Sequence, residues 1–139
     1  MLLWAILLWA DTVTKYLAEN YLQGQIAIIP SLISFEYAKN IWIAFSIPLT
    51  WLLLKVITIA LIFGIFWYYW KHESKRNSIL INLSYTLIFA WALWNAWERI
   101  FRWYVTDFIS VEYFAIFNLA DSYITLGAIW LLYYYYKYT

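Results

Sequence analysis

Apolar residues run along this chain in four long blocks, broken by short polar stretches rather than by a regular helical or strand alternation. The blocks predict helices at about residues 2–18, 47–70, 78–97 and 117–136. Each approaches the roughly 20 residues needed to cross a bilayer. The first carries Asp11 and Lys15, the second Lys55, and the fourth opens near Asp121; the third has no formal charge. Between the first two blocks the pattern changes. Gly24 and Pro30 punctuate residues 23–46, and Ile33, Phe35 and Tyr37 alternate with Ser34, Glu36 and Ala38. That period of two predicts a short strand or hairpin resting on the membrane. The expectation is one all-α integral-membrane domain over residues 1–139, with four transmembrane helices and a small outward-facing β or loop element.

Composition makes the membrane reading firm. The chain is 66% hydrophobic and only 12% charged. A soluble domain of 139 residues could not bury that much apolar surface. A formal charge of +1 gives no reason to expect nucleic acid. There is no cysteine, hence no disulfide framework or thiol nucleophile, and the lone His72 argues against a histidine metal cluster or a Ser-His-Asp triad. Leu2–Ala10 has no basic segment before it, so it reads as a retained helix rather than a cleaved signal.

Orientation follows from the basic residues. Lys71, His72, Lys75 and Arg76 join blocks two and three, and Lys137 follows block four. Basic loops stay in the cytoplasm, which places both termini there. Residues 19–46 and 98–116 then face outward, as do Glu19, Glu36, Glu98, Asp107, Glu112 and Asp121. The Tyr133–Tyr136 run reads as an interfacial belt.

The acids are the candidate chemistry, because an ionisable group at membrane depth is expensive and usually has a task. Asp11 and Lys15 are four apart and share a helix face, either as mutual neutralisation or as a brace beside a site. Asn95, Glu98 and Arg99 cluster at the outward end of block three; Arg99 is a fork of fixed donors suited to a carboxylate or carbonyl, or else an interfacial snorkel. Asp107 and Asp121 are separated by a short outward excursion that could bring them together. If they meet, they share a proton, and the pair could activate water against a peptide carbonyl. Helix caps or solvated interfacial acids are the alternative from spacing alone. Buried acids also suit a small transporter or proton relay, which would line them up across the membrane rather than gather them at one face. A structural membrane subunit is the blandest option.

Five boxes in order change the balance. Asp11-Thr12-Val13-Thr14-Lys15 resembles the D-x-x-[ST]-K box of lipoprotein signal peptidase (signal peptidase II). Residues 40–46 resemble its N-x-G-x-A-F-S segment, residues 90–99 its G-G-A-L-G-N-x-x-D-R box, residues 105–108 its V-x-D-F and residues 117–122 its F-N-x-A-D-S. The resemblance implies an aspartic endopeptidase of the bacterial cytoplasmic membrane. It would cut signal peptides from prolipoproteins just before a diacylglyceryl-modified cysteine, or bind such lipopeptides as an inactive relative. By position, Asp107 and Asp121 would be the catalytic pair. Asn40, Asn95, Arg99 and Asn118 would shape the site and hold substrate, with Asp11, Lys15 and Glu98 in support. Neither metal nor cofactor is implied, and the expected state is a monomer in the bilayer.

The chain departs from those boxes in three ways. Glu98 stands where the family has aspartate, which moves the charge of an ion pair with Arg99 or Lys15. The stretch between Asp107 and Asp121 is short for a flap over the site. Trp42, Trp91 and Trp94 fall where the boxes place glycine, and Trp103, between the third and fourth boxes, also stands where the resemblance implies glycine, in a chain with 11 tryptophans and 3 glycines. Glycine is frequent in membrane helices, where it lets backbones approach. Some bacteria read the UGA codon as glycine, and a gene of that kind decoded with another table would look like this; tryptophan as interfacial anchor suits Trp67 and Trp70 but not Trp91 and Trp94.

Overall fold

The structure is a computed structural model that describes residues 2–41 and 51–138. Residues 42–46 of the second box, Trp42 among them, lie outside the described residues. The element order is α1 (Leu2–Tyr21), β1 (Ile26–Ile29), β2 (Ile33–Asn40), α2 (Trp51–Tyr68), α3 (Ile79–Arg102), β3 (Val105–Val111), β4 (Ile116–Phe117) and α4 (Leu119–Tyr138). The fold is mostly helical, with one antiparallel sheet in the order β1-β2-β3-β4. Among the described residues, α3 has the length and mean hydropathy of a membrane-crossing helix.

The predicted helices are present, with shifted ends. α1 runs to Tyr21 and α3 to Arg102, beyond the apolar blocks, because their polar last turns pair with each other. After α2 the chain continues through a π-helical turn, Tyr69–Glu73, and a 3-10 turn, Ser74–Arg76. Glu73, which the sequence sets among the basic residues joining blocks two and three, is buried. Ser78 begins α3 by accepting from the Ile81 N–H, a side-chain cap for an otherwise orphaned donor. Trp103 ends it in a left-handed conformation at φ 70°, which costs a residue with a Cβ about 1–2 kcal/mol.

The core lies between α3 and α4. Leu87, Trp91 and Ala120 are buried there, with Tyr123, Ile124 and Trp130 packed against them. The two backbones come close at Gly127, where an added Cβ would sit 2.8 Å from the Ser84 carbonyl oxygen. That approach is open only to glycine. By contrast α2 exposes Leu52, Val56, Ile59, Leu61 and Phe63, each by more than half. Apolar residues exposed around a whole helix need lipid, not water, against them.

The sheet is larger than the predicted hairpin. β3 adds to β2 with Ala38 opposite Asp107 and Asn40 opposite Val105, and the register slips between Phe35 and Ala38. β4 then pairs with β3 through Ile109–Phe117 and Ser110–Ile116. The excursion between the two aspartates is therefore a strand hairpin. It lays Asp107 on the sheet and returns the chain directly to the start of α4.

Candidate active site

Asn118 is the joint of the site. It stands just before α4 and caps that helix: the Asp121 N–H donates to its Oδ1 at 3.0 Å. In return Asp121 Oδ2 accepts from the Asn118 N–H at 3.3 Å. This reciprocal pairing, three residues apart, is a capping box, and it fixes the Asp121 carboxyl at the helix N-terminus. The Asn118 amide nitrogen remains available and donates to Asp107 Oδ1 at 2.7 Å. One residue thus ties a carboxyl on β3, through its side-chain amide, to a carboxyl on α4, through its backbone N–H. The two readings of Asp121 from spacing, cap or partner of Asp107, are not exclusive.

Each carboxyl has a second amide donor from another element. Asn40, at the end of β2, donates to Asp107 Oδ2 at 2.7 Å. Asn95, on α3, donates to Asp121 Oδ1 at 2.9 Å. Asp107 is 2% exposed. Burial is the largest cause that raises its pKa from 3.8 to about 6; the amide of Asn40 opposes this, and the charge of Asp121 adds to it. A carboxyl near pH 6 holds or releases a proton under ordinary conditions.

Behind the carboxyls lies a chain of buried charge. Asp11 Oδ1 accepts from the Ala120 N–H at 2.9 Å, another free donor of the α4 N-terminus. Lys15 Nζ sits 2.7 Å from Asp11 Oδ2 and 2.6 Å from Glu98 Oε2, and donates to Asn95 Oδ1 at 3.1 Å. One ammonium therefore neutralises two acids and orients the amide that holds Asp121. Glu98 pairs with Lys15 rather than Arg99, and its other oxygen lies 3.4 Å from Arg102. Its extra methylene lets it span both cations.

Arg99 makes no such pairing. Its Nε is buried without a hydrogen-bond partner among the described residues, while its charge acts on Asp107. It is the donor left over in the site. All nine residues expected from the sequence converge at the sheet end of the bundle.

The sequence reading missed an outer clamp. Arg102 Nη2 lies 2.6 Å from Glu19 and also donates to the Tyr104 hydroxyl at 2.8 Å. The Tyr104 hydroxyl in turn donates to Glu19, and Lys39 stands 5.1 Å over its ring. This cluster binds α1, α3 and β2 just ahead of the strand bearing Asp107. The Glu98–Arg102 spacing of four was the available signal.

A dyad of carboxyls with amide donors and a spare guanidinium suits hydrolysis of a polarised carbonyl. Comparisons with known proteins place the chain among peptidases. A lipoprotein signal peptidase of Streptococcus pneumoniae is 37% identical over 132 residues, covering 91% of this chain and 85% of the relative. Another, of Chlorobaculum tepidum, is 37% identical over 136 residues, covering 85% of this chain and 82% of its own. A bacterial membrane enzyme solved by the in meso method superposes with a TM-score of 0.80 at 27% identity, covering 99% of this chain and 92% of that one. The sequence model described as signal peptidase (SPase) II matches residues 3–137, and the chain belongs to that family.

Proposed function

We propose that this protein removes signal peptides from bacterial prolipoproteins, cutting just before the diacylglyceryl-modified cysteine with Asp107 and Asp121 as an aspartic dyad. The observation that carries the reading is the Asn118 bridge, which couples the two carboxyls at 2.7 and 3.3 Å. Two acids so joined, Asp107 buried and Asp121 half-buried, hold one proton between them, and the apparent constants belong to the pair. The ionised member takes a proton from water as its oxygen attacks the scissile carbonyl carbon. The protonated member donates to the carbonyl oxygen. Collapse of the tetrahedral intermediate breaks the C–N bond, and the proton passes to the leaving amine. Arg99, with its unpartnered Nε, holds a substrate carbonyl during these steps.

The chain acts as a single integral-membrane domain and as a monomer. Its four helices, of 20, 18, 24 and 20 residues, cross the bilayer. The basic residues Lys71, Lys75, Arg76 and Lys137 gather at the end away from the sheet, so that end and both termini are cytoplasmic. The sheet and the dyad then lie at the outer face of the cytoplasmic membrane, where a lipid-anchored peptide arrives sideways. The exposed Ile26, Ile28, Ile29 and Leu32 of the β1–β2 hairpin suit contact with that surface.

The test is the purified protein in lipid with a peptide carrying a diacylglyceryl-cysteine and an apolar signal segment. The expected product ends immediately before the cysteine. A peptide that binds but stays intact would reveal an inactive relative and overturn the proposal.

A further inference from the structure

We propose that positions 91, 94 and 103 carry glycine in the protein its own cells make, and that tryptophan stands there because UGA codons are read as tryptophan instead of glycine. The backbone supplies the first ground. Trp103 lies directly after α3 at φ 70°, ψ −1°, the position and conformation in which glycine most often ends a helix. None of the chain's three glycines has a positive φ. The other left-handed residues besides glycine, among the described residues, are Ser31, Asn77 and Tyr113. Asn77 is a residue type that tolerates this conformation, and Ser31 and Tyr113 sit in exposed turns. Trp103 is the bulkiest choice at the position with the strongest demand.

The second ground is polar. The indole N–H groups of Trp91 and Trp94 are buried with no partner among the described residues. A buried indole normally finds an acceptor, and a lone donor out of water is costly. Trp91 packs its ring against Tyr123 in the α3–α4 core, so the misfit of the two indoles lies in their polar ends, three residues apart on one helix.

The third ground is packing. Lys15 reaches across from α1 to Asn95 and Glu98 on α3, yet the α1 and α3 backbones barely approach each other. An apolar groove of about 490 Å³, lined by Leu8, Ala90, Trp91, Leu93, Trp94 and Trp97, opens along that seam. The close α3–α4 crossing at Gly127 shows how this bundle packs where a residue is small. Hydrogen in place of the two indoles lets α1 close on α3 beside the buried ion pairs. Trp9, Trp67, Trp70 and Trp97 are more than half exposed within helices and suit lipid, so they stay tryptophan; Trp103 is as exposed but differs from them in its left-handed backbone. Trp42 belongs to the same codon question through its motif.

The decisive experiment is tandem mass spectrometry of peptides spanning residues 87–103, taken from the protein isolated from its native membranes. Glycine is expected at 91, 94 and 103, with tryptophan at 97 as the internal control. Tryptophan at the three positions overturns the proposal. A second measurement tests the backbone ground in the full chain as written. Trp103→Gly is expected to melt at higher temperature than both the unchanged chain and Trp103→Ala. A Trp103→Gly variant that melts no higher than Trp103→Ala overturns the assignment at 103.

Discussion

The two ends of the bundle each bury a carboxylate, and they treat it differently. At the sheet end, Asp11, Glu98, Asp107 and Asp121 all have donors or cations supplied by other elements. At the far end, Glu73 is 1% exposed, and its cation is Arg76, three residues along the same turn, at 3.2 Å. Its carboxylate oxygens have no hydrogen bond among the described residues. The contrast separates a charge that is kept for use from one that merely anchors a turn. A network wired across α1, β2, β3, α3 and α4 fixes geometry. A local pair fixes only the loop that contains it.

Breaking the wired end at its hub has the largest expected effect. Lys15→Met removes the one ammonium shared by Asp11 and Glu98, leaving buried Asp11 without its cation and Glu98 with Arg102 alone at 3.4 Å, a loss of about 3–5 kcal/mol. Thermal unfolding in detergent reads it, and an unchanged melting temperature would mean that the buried pairs are not coupled. Asn118→Ala comes next. It removes the α4 cap and the amide donor to Asp107 while keeping the backbone donor to Asp121, so kcat for lipopeptide cleavage drops on the order of 10²-fold, with a cap-sized loss of about 1 kcal/mol in stability.

A pH series sharpens the comparison further. The dyad needs one proton, so kcat/KM falls as pH rises past about 6, where burial has placed the Asp107 carboxyl. Stability follows the same sign. The native carboxyl holds its proton more tightly than the unfolded one, so this contribution is complete below 3.8 and is lost as pH climbs through about 6. Melting curves from pH 4 to 8 show the decline, and Asp107→Asn flattens it. The smallest effect belongs to the far end. Glu73→Gln keeps the shape, removes a poorly partnered charge, and changes stability by about 1 kcal/mol or less. The cleavage rate is unaltered.

Much of this architecture is legible in the sequence, because apolar runs near membrane length and a period-two hairpin are strong patterns. β3 is not. Val105, Thr106, Asp107 and Phe108 are all buried, so the strand has no wet face and the alternation that reveals β2 vanishes. The extra turns of α1 and α3 were hidden because Glu19 and Arg102 look like solvated loop charges until they are seen to pair. The burial of Glu73 was hidden for the same reason: it sits among lysines and an arginine in sequence but under the end of the bundle in space. The site residues were readable individually by their polarity at membrane depth, and collectively through the five boxes. What spacing could not supply was the role of Asn118, whose cap and bridge depend on β4 ending where α4 begins.

The most direct test of the central claim is single-turnover cleavage of the diacylglyceryl peptide by the unchanged chain, Asp107→Asn and Asp121→Asn, with melting temperatures measured alongside. The account predicts that both variants stay folded and that neither yields product above the uncatalysed background. Measurable turnover in either folded variant would remove that carboxyl from the chemistry and contradict the dyad.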